Sequence, residues 1–405
     1  MTLRAHLLLG AVLAVAVSSA SRADAVEPGD TSFEAGQQVS VLTDGQVSRN
    51  LSYATFHTKP IVSRDDKTGS TWELRLGARA FYDFETKISE VSIRDLAIVR
   101  RTDHVTATVG FQEIVWGETL GFPVADIVNP RDLRDPLFLD TDWVRLPVAA
   151  ANVQYTGGPF RLQGLVTPIP RSAQLPDPGS PFLPQGIPVL PIPSFSVDRA
   201  GQDAEWGGRA GVLVSGWDFS ASFLAHWSRA PVFQLVTLPL APPVLEPVIH
   251  RVSSPGLSLT KTVGDEVVVR FDSVLNIGEP QQSAVFAPPA LVLESQNVID
   301  ADLTSGDWLI SLQYEYDRQG SLDRHWLTAR VQKTFFDRRL ELDGFMYRGL
   351  NNGDAWLQPM ITWSFLDSLS ISARADFVWG TPGDAGQLGY LNDKNRIFAI
   401  LRARL

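Results

Sequence analysis

No cysteine occurs anywhere in the 405 residues. That absence excludes disulfides, thiolate zinc sites and a thiol nucleophile. Lysine is scarce as well: of 35 basic residues only six are lysines, so arginine carries nearly all the positive charge. The formal net charge is -10 with no basic cluster, which argues against nucleic acid as a partner. Past the N-terminus the histidines are His57, His104, His226, His250 and His325. None stands at a metal-ligand spacing, so neither a metal nor any other cofactor is expected. Long apolar runs are missing too. After the first two dozen residues no stretch of 18 consecutive apolar residues exists, which rules out membrane-spanning helices.

The first residues form a distinct unit. Arg4 and His6 precede the apolar run Leu7 to Val17, and small residues follow as far as Ala25. This is the layout of a secretory signal peptide, and its apolar run is well short of the roughly 20 residues a spanning helix needs. Residues 1–23 are expected to be removed, leaving 24–405 as one domain.

What the chain does have is alternation. From Trp72 to Phe84, the residues Trp72, Leu74, Leu76, Ala78, Ala80, Tyr82 and Phe84 share one face, against Glu73, Arg75, Gly77, Arg79 and Asp83. Phe81 is the one exception. The pattern returns at Phe219 to Trp227, Val267 to Asn276, Trp308 to Asp317, Leu369 to Trp379 and Ile397 to Leu405. Two-faced segments of about 9 to 13 residues are the length at which a tilted strand crosses a bilayer. Several apolar faces begin or end in an aromatic, as an interfacial girdle requires. A soluble sandwich would leave that much apolar surface in water. The expected fold is all-β: a transmembrane, antiparallel, up-and-down β-barrel of about 16 strands, within 14 to 18, the count resting on whether Ser32–Leu42 and Gln46–Phe56 add a hairpin.

Connections alternate in length. Tight ones fall at Leu366-Asp367-Ser368, Phe336-Asp337-Arg338, Val263-Gly264-Asp265, Gly157-Gly158-Pro159 and Thr102-Asp103, and are read as periplasmic turns. Longer ones fall at residues 116–147, 168–206, 229–251, 278–286, 349–354 and 380–391, and are read as outer loops. Residues 57–69 make an unusually long turn for the periplasmic side. The second long loop is stiffened by Pro168, Pro170, Pro176, Pro178, Pro181, Pro184, Pro188, Pro191 and Pro193 among apolar residues. It suits either a greasy plug at the lumen or packing against its neighbours.

Loop 116–147 holds the densest motif region. Trp116-Gly117-Glu118 is followed by Asn129-Pro130-Arg131-Asp132-Leu133-Arg134-Asp135 and then Arg145-Leu146-Pro147. Over roughly residues 105–155 the chain resembles a poorly characterised, porin-like group of proteobacterial outer-membrane barrel proteins. That resemblance implies the barrel and says little about cargo. Asn129-Pro130 with Asp132 is turn-forming chemistry, and Arg131, Asp132, Arg134 and Asp135 can cross-link the loop to a charged wall. Trp116, Glu118, Asn129, Pro130, Arg131, Asp132, Arg134 and Arg145 are the candidates for a constriction. A salt-bridged surface loop is the alternative.

Alternation assigns Arg75, Arg79, Arg94, Arg270, Asp272, Arg330, Arg339, Glu341, Asp343, Arg374 and Asp376 to a wet, pore-lining face. Charges of both signs there set ion preference, and the arginine majority points to modest anion preference. No catalytic motif is present. His226 shares its face with Ser220, Ser222 and Ser228, a set that reads as water-lining, and the chain is read as a non-enzyme. The expected role is passive diffusion of small solutes across the outer membrane of a Gram-negative cell. A conduit for hydrophobic compounds and a structural or assembly barrel of an envelope complex are the alternatives. The expected partners are outer-membrane lipid, the barrel-assembly machinery and the solutes themselves, with monomer and homo-oligomer both left open.

Overall fold

The structure, a computed structural model, describes residues 30–65, 67–117, 119, 123–137, 140–176, 180–182, 190, 195, 197–237, 242–282, 287–380 and 388–405. The expected signal peptide, Glu118 and residues 177–179, 183–189, 191–194 and 196 of the Pro-rich loop lie outside the described residues.

Strands dominate. The N-terminal set is β1 (Thr31–Leu42), β2 (Val47–Thr58), β3 (Ile61–Arg64), β4 (Thr71–Asp83), β5 (Ser89–Arg101) and β6 (Val105–Gln112). A one-turn helix, α1 (Thr141–Val144), precedes β7 (Val148–Gly157) and β8 (Phe160–Thr167). Next come α2 (Ala200–Asp203), β9 (Glu205–Val214), β10 (Trp217–Trp227), β11 (Val232–Val236), β12 (Val244–Val248), β13 (Arg251–Val263) and β14 (Val267–Gln281). The last set is β15 (Ala290–Ser305), β16 (Trp308–Gln319), β17 (Leu322–Phe335), β18 (Leu340–Gly349), β19 (Ala355–Leu366), β20 (Leu369–Trp379) and β21 (Arg396–Arg404).

Neighbours in sequence pair antiparallel, and β21 pairs back onto β1 from Glu34↔Arg404 to Leu42↔Arg396. That last ladder closes the sheet, so the ring has no exposed strand edge. Along β16, Trp308, Ile310, Leu312 and Tyr314 are exposed, whereas Ser311, Gln313, Glu315 and Asp317 are buried. The same division holds on β14 and β20 apart from the inward Val274 and Val378, so the apolar set largely faces out and the polar set in, whereas β21 also turns Phe398 and Ile400 inward beside Arg396. This inversion of a soluble core is what hydrocarbon demands of a closed ring. Leu312, in the middle of β16 and 51% exposed, gives a test. Leu312→Arg is expected to cost about 2–4 kcal/mol in refolding into lipid vesicles, the value for an arginine at the bilayer midplane.

Eighteen strands form the ring, two more than the sixteen expected from alternation. The extra pair is the β1–β2 hairpin. Its outward positions include Gln37, Asn50 and Ser52, bonded to one another, while Leu51 and Tyr53 face in and are buried. The usual polarity is therefore partly reversed there. The long turn at 57–69 also resolves differently: Lys59 and Pro60 break the ladder, and β3 continues the line of β2 along β4. β11 and β12 form a separate two-stranded sheet inside the connection read as 229–251, and β14 and β15 extend to shorten 278–286 to 282–289.

Both ends of the described barrel, at Asp30 and Leu405, lie with the tight turns. Gly158 and Gly264 occupy the left-handed region there at φ 55° and 62°, a conformation free of Cβ strain only for glycine. The turn at Phe336-Asp337-Arg338 reaches it without glycine, at φ 54°, 53° and 66°. Each of those residues carries roughly 1–2 kcal/mol of local strain.

Candidate functional site

The loop after β6 folds into the ring. Asn129 ties its two ends together, accepting from the Ile114 N–H at 2.8 Å and donating to the Leu146 carbonyl at 2.8 Å. Beyond that clamp the backbone runs as a short ladder: Leu146 N–H donates to the Pro130 carbonyl at 2.9 Å and Asp132 N–H to the Val144 carbonyl at 2.7 Å. Gln174, from the Pro-rich loop, joins as a third rung, since Leu133 N–H donates to its carbonyl at 2.8 Å. Asn129 is thus a long-range clamp rather than a local turn former, whereas Asp132 does turn the chain, accepting from the Arg134 N–H at 3.1 Å. The loop is not a surface feature.

Its side chains reach opposite walls. Val124 and Ala125 pack on Val274 of β14 and Val298 of β15. Trp143 packs with Leu51 and Tyr53 of β2, Phe81 of β4, and Phe398 and Ile400 of β21, halfway round the ring. Phe81, the residue that broke the alternation, is 8% exposed and turned inward to meet this cluster. Trp116 is 2% exposed and donates through Nε1 to Gln163 Oε1 at 3.0 Å. Phe182 of the Pro-rich loop packs beside Leu137 against Trp326, Phe345, Trp356 and Val378.

Ion pairs pin the loop. Asp135 accepts from Arg396 Nη1 at 2.8 Å and from Arg49 Nη1 at 3.4 Å. Arg396 is fully buried and donates also to Asp376 at 2.6 Å, and Arg374 donates to Asp376 at 3.2 Å. Burial alone would raise the Asp135 carboxyl, but Arg396 and Arg49 outweigh it and hold it below the ordinary aspartate value. Arg134 forks onto Asp132 and reaches Glu90 of β5 at 2.8 Å. Arg145 donates to Asp126 at 2.6 Å, and Arg131 and Arg145 face each other in an isolated bridge.

The wall residues fall into separate groups. Arg75, Arg79 and Arg94 border one lumenal cavity. Arg94 comes from a bulge, where Gly77 pairs with Asp95 and Ala78 with Ile93, so that Arg94 and Asp95 both reach that cavity. Arg374 and Asp376 belong to the Asp135 network. Arg270 bonds Asp300 at 3.1 Å and also Asp302, Asp272 is fully buried nearby, and Arg330 pairs with Asp343. Glu341 is half-buried on β18. Arg339 is displaced from the assigned face: it lies in the exposed turn after β17, because the strand ends at Phe335.

Charge is unevenly spread round the lumen, with Arg270, Arg324 and Arg330 standing among the acids and Asp376 among the arginines. Arg49, Arg79, Arg94, Arg374 and Arg396 project from β2, β4, β5, β20 and β21, while Glu294, Asp300, Glu315 and Asp317 project from β15 and β16 across the ring. Arg49, Arg396, Tyr53 and Trp143 escaped the sequence reading, although the inward parity of Arg49, Tyr53 and Arg396 was available from their strands.

Solved barrels share this architecture. OccAB1 of Acinetobacter baumannii aligns over 94% of this chain and 97% of its own at TM-score 0.56 and 8% identity. OccK5 (OpdH) of Pseudomonas aeruginosa aligns over 93% and 97% at 0.54 and 9% identity. Salmonella typhi OmpF, solved with daunomycin, aligns over 93% and 97% at 0.51 and 9% identity. The barrel is porin-like in fold. No protein-family model and no curated protein matches the sequence.

His226 is one of the inward residues of β10. Its Nε2 lies 2.8 Å from Ser254 Oγ, on the neighbouring strand, and its Nδ1 lies 2.7 Å from the Trp227 carbonyl. Ser254 passes the chain on to Asn276 at 2.6 Å, and Asn276 to Glu294 at 2.7 Å. His226 is 2% exposed, so this is a buried ladder between strands rather than an exposed nucleophile and base.

Proposed function

We propose that the chain is an outer-membrane channel through which small solutes diffuse passively, exported on its N-terminal leader and folded by the barrel-assembly machinery. The observation that carries this reading is the pairing of an apolar exterior with a charged lumen narrowed, not filled, by the pinned loop after β6 and the part of the Pro-rich loop that packs with it. Two cavities of about 460 and 430 Å³ remain on the Arg-bearing wall. Fixed charges on opposite walls create a transverse field, and the loop sets the bore. Arg75, Arg79 and Arg94 border the remaining space, whereas Asp300 and Asp302 are bonded to Arg270. The cavity they border therefore prefers anions, and we read that preference as the channel's.

The test is the reversal potential of the refolded protein in a planar bilayer under a potassium chloride gradient. A potential of the sign set by chloride is expected. Clear cation selectivity would refute the preference, and no conductance at all would favour a structural barrel.

A further inference from the structure

We infer that the lipid-facing wall of β14 to β18 binds the headgroup of a phosphorylated lipid of the outer leaflet. The site lies outside the ring, so it is independent of the solute route through the lumen. Strand register places it. Ser273, Asn297, Tyr316 and His325 are direct partners across four successive strands and form one row of polar side chains on the outward face. The row nearer the long loops holds Ser295, Arg318 and Asp323, and the row on its other side holds Tyr314, Leu327 and Arg348.

Most of these side chains are tied into a platform. The Tyr314 hydroxyl lies 2.7 Å from His325 Nδ1, the Tyr316 ring meets the same imidazole with centroids 4.9 Å apart, and the Tyr316 hydroxyl donates to Asp323 at 3.0 Å. Asn351, from the loop after β18, accepts from the His325 N–H at 3.1 Å and donates to the Asp323 carbonyl at 2.6 Å. Ser273 donates to Asn297 at 2.8 Å, and Asn297 to Ser295 at 3.0 Å. The arginines are held less. The Arg318 side chain is 60% exposed and reaches Asp323 only at 3.8 Å. Arg348 is exposed and has no side-chain partner among the described residues. Two guanidiniums against one carboxylate leave the patch cationic.

The height of the patch matches a headgroup. Trp308, with Lys333 4.2 Å over its ring, marks the boundary of the apolar band at the tight-turn end. From there to Arg318, β16 climbs roughly 26 Å at the usual strand rise and a tilt of about 40°, which is close to the ~25 Å of such a band. Arg318 and Arg348 share that level, each standing one residue before the outer end of its strand, Gln319 of β16 and Gly349 of β18. Two strand spacings and four residues of offset put their Cα atoms roughly 16 Å apart. That span fits two phosphates, with His325 and the tyrosine hydroxyls between them as partners for sugar hydroxyls. Below the patch the same wall is apolar, with Ile299, Ile310, Leu312 and Met346 exposed as a bed for acyl chains. A lipid whose disaccharide headgroup carries a phosphate at each end meets every part of this surface.

The probe is lipid A, a disaccharide lipid with two phosphates, titrated into the refolded barrel in maltoside micelles and counted by native mass spectrometry. Arg318→Gln and Arg348→Gln are each expected to weaken its binding about fivefold, and the two together roughly 25-fold. Arg100→Gln, which removes an outward cation over Trp72 at the tight-turn end, is expected to leave it unchanged. Dephosphorylated lipid A is expected to bind the parent no better than it binds the double variant. Equal affinity of parent and double variant for lipid A, or an equal loss in Arg100→Gln, overturns the site. Equal affinity of the parent for both lipids overturns phosphate recognition, and displacement of lipid A by millimolar inorganic phosphate makes this an ion site and overturns the lipid. If the parent without lipid is an oligomer that the double variant loses, the patch is a contact between copies and the lipid assignment falls. Should the double variant fail to fold, the two single variants decide. Conductance of every variant is expected to equal that of the parent, so failure here leaves the channel reading standing.

Discussion

Replacing residues 117–145 with a short Gly-Ser linker is expected to raise single-channel conductance several-fold and to weaken ion selectivity. A ring of 16 to 18 strands leaves an aqueous bore unless something enters it. Here that something runs from Val124 and Ala125 on the β14–β15 wall to Trp143 on the β2–β21 wall, so its removal widens the bore while Phe182 of the second loop stays inside. Selectivity should fall because Arg131, Asp132, Arg134, Asp135 and Arg145 leave with the loop and the remaining charges stand further apart. Wild-type conductance in the loopless channel would mean that solutes do not pass by this loop at all.

Asp135→Asn is expected to destabilise the folded protein by about 3–5 kcal/mol, toward the lower end because Asp376 still pairs with Arg396. Deleting one charge from a desolvated network leaves its partners buried without compensation, and Arg396 has no exposed surface through which water can replace the carboxylate. Urea unfolding of the barrel in lipid vesicles measures the loss. The sign with pH follows from the depressed Asp135 value. A carboxylate lowered in the folded state stabilises above its unfolded pKa of about 3.9 and loses that contribution only as pH falls through the lower folded value. Between neutrality and about pH 5 the Asp135 pairing should therefore keep the loop pinned, with release confined to stronger acid. In Asp135→Asn the acid step should vanish. An equal step in both proteins would place the sensitive group elsewhere.

Much of the barrel was legible because alternation in a membrane ring is a direct consequence of having lipid on one side and water on the other. β16 and β20 read correctly residue by residue. The β1–β2 hairpin was harder, since Gln37, Asn50 and Ser52 face outward while Leu51 and Tyr53 face inward, and Pro60 interrupts the strand. Phe81 is instructive: its break in the pattern marked the wall position where the loop lands. The loop's charged residues were visible as cross-linkers, but their partners Glu90, Arg49 and Arg396 were not. Those pairings depend on which wall a folded loop meets, a long-range fact that local pattern does not encode. Arg339 failed for the opposite reason, because a strand boundary moved by a few residues takes a side chain off the wall and into a turn.

What organises the ring is a division of faces, apolar toward lipid and polar toward the enclosed water, along most of its strands. Its most direct measure is a nitroxide scan along β16, one cysteine at a time from 308 to 317, in the barrel reconstituted into vesicles. The expected result is a period of two: even positions such as Leu312 collide with oxygen dissolved in the bilayer, and odd positions such as Ser311 show no such exposure. A scan in which both sets meet the aqueous relaxation agent equally, or in which the phase is reversed, would contradict it.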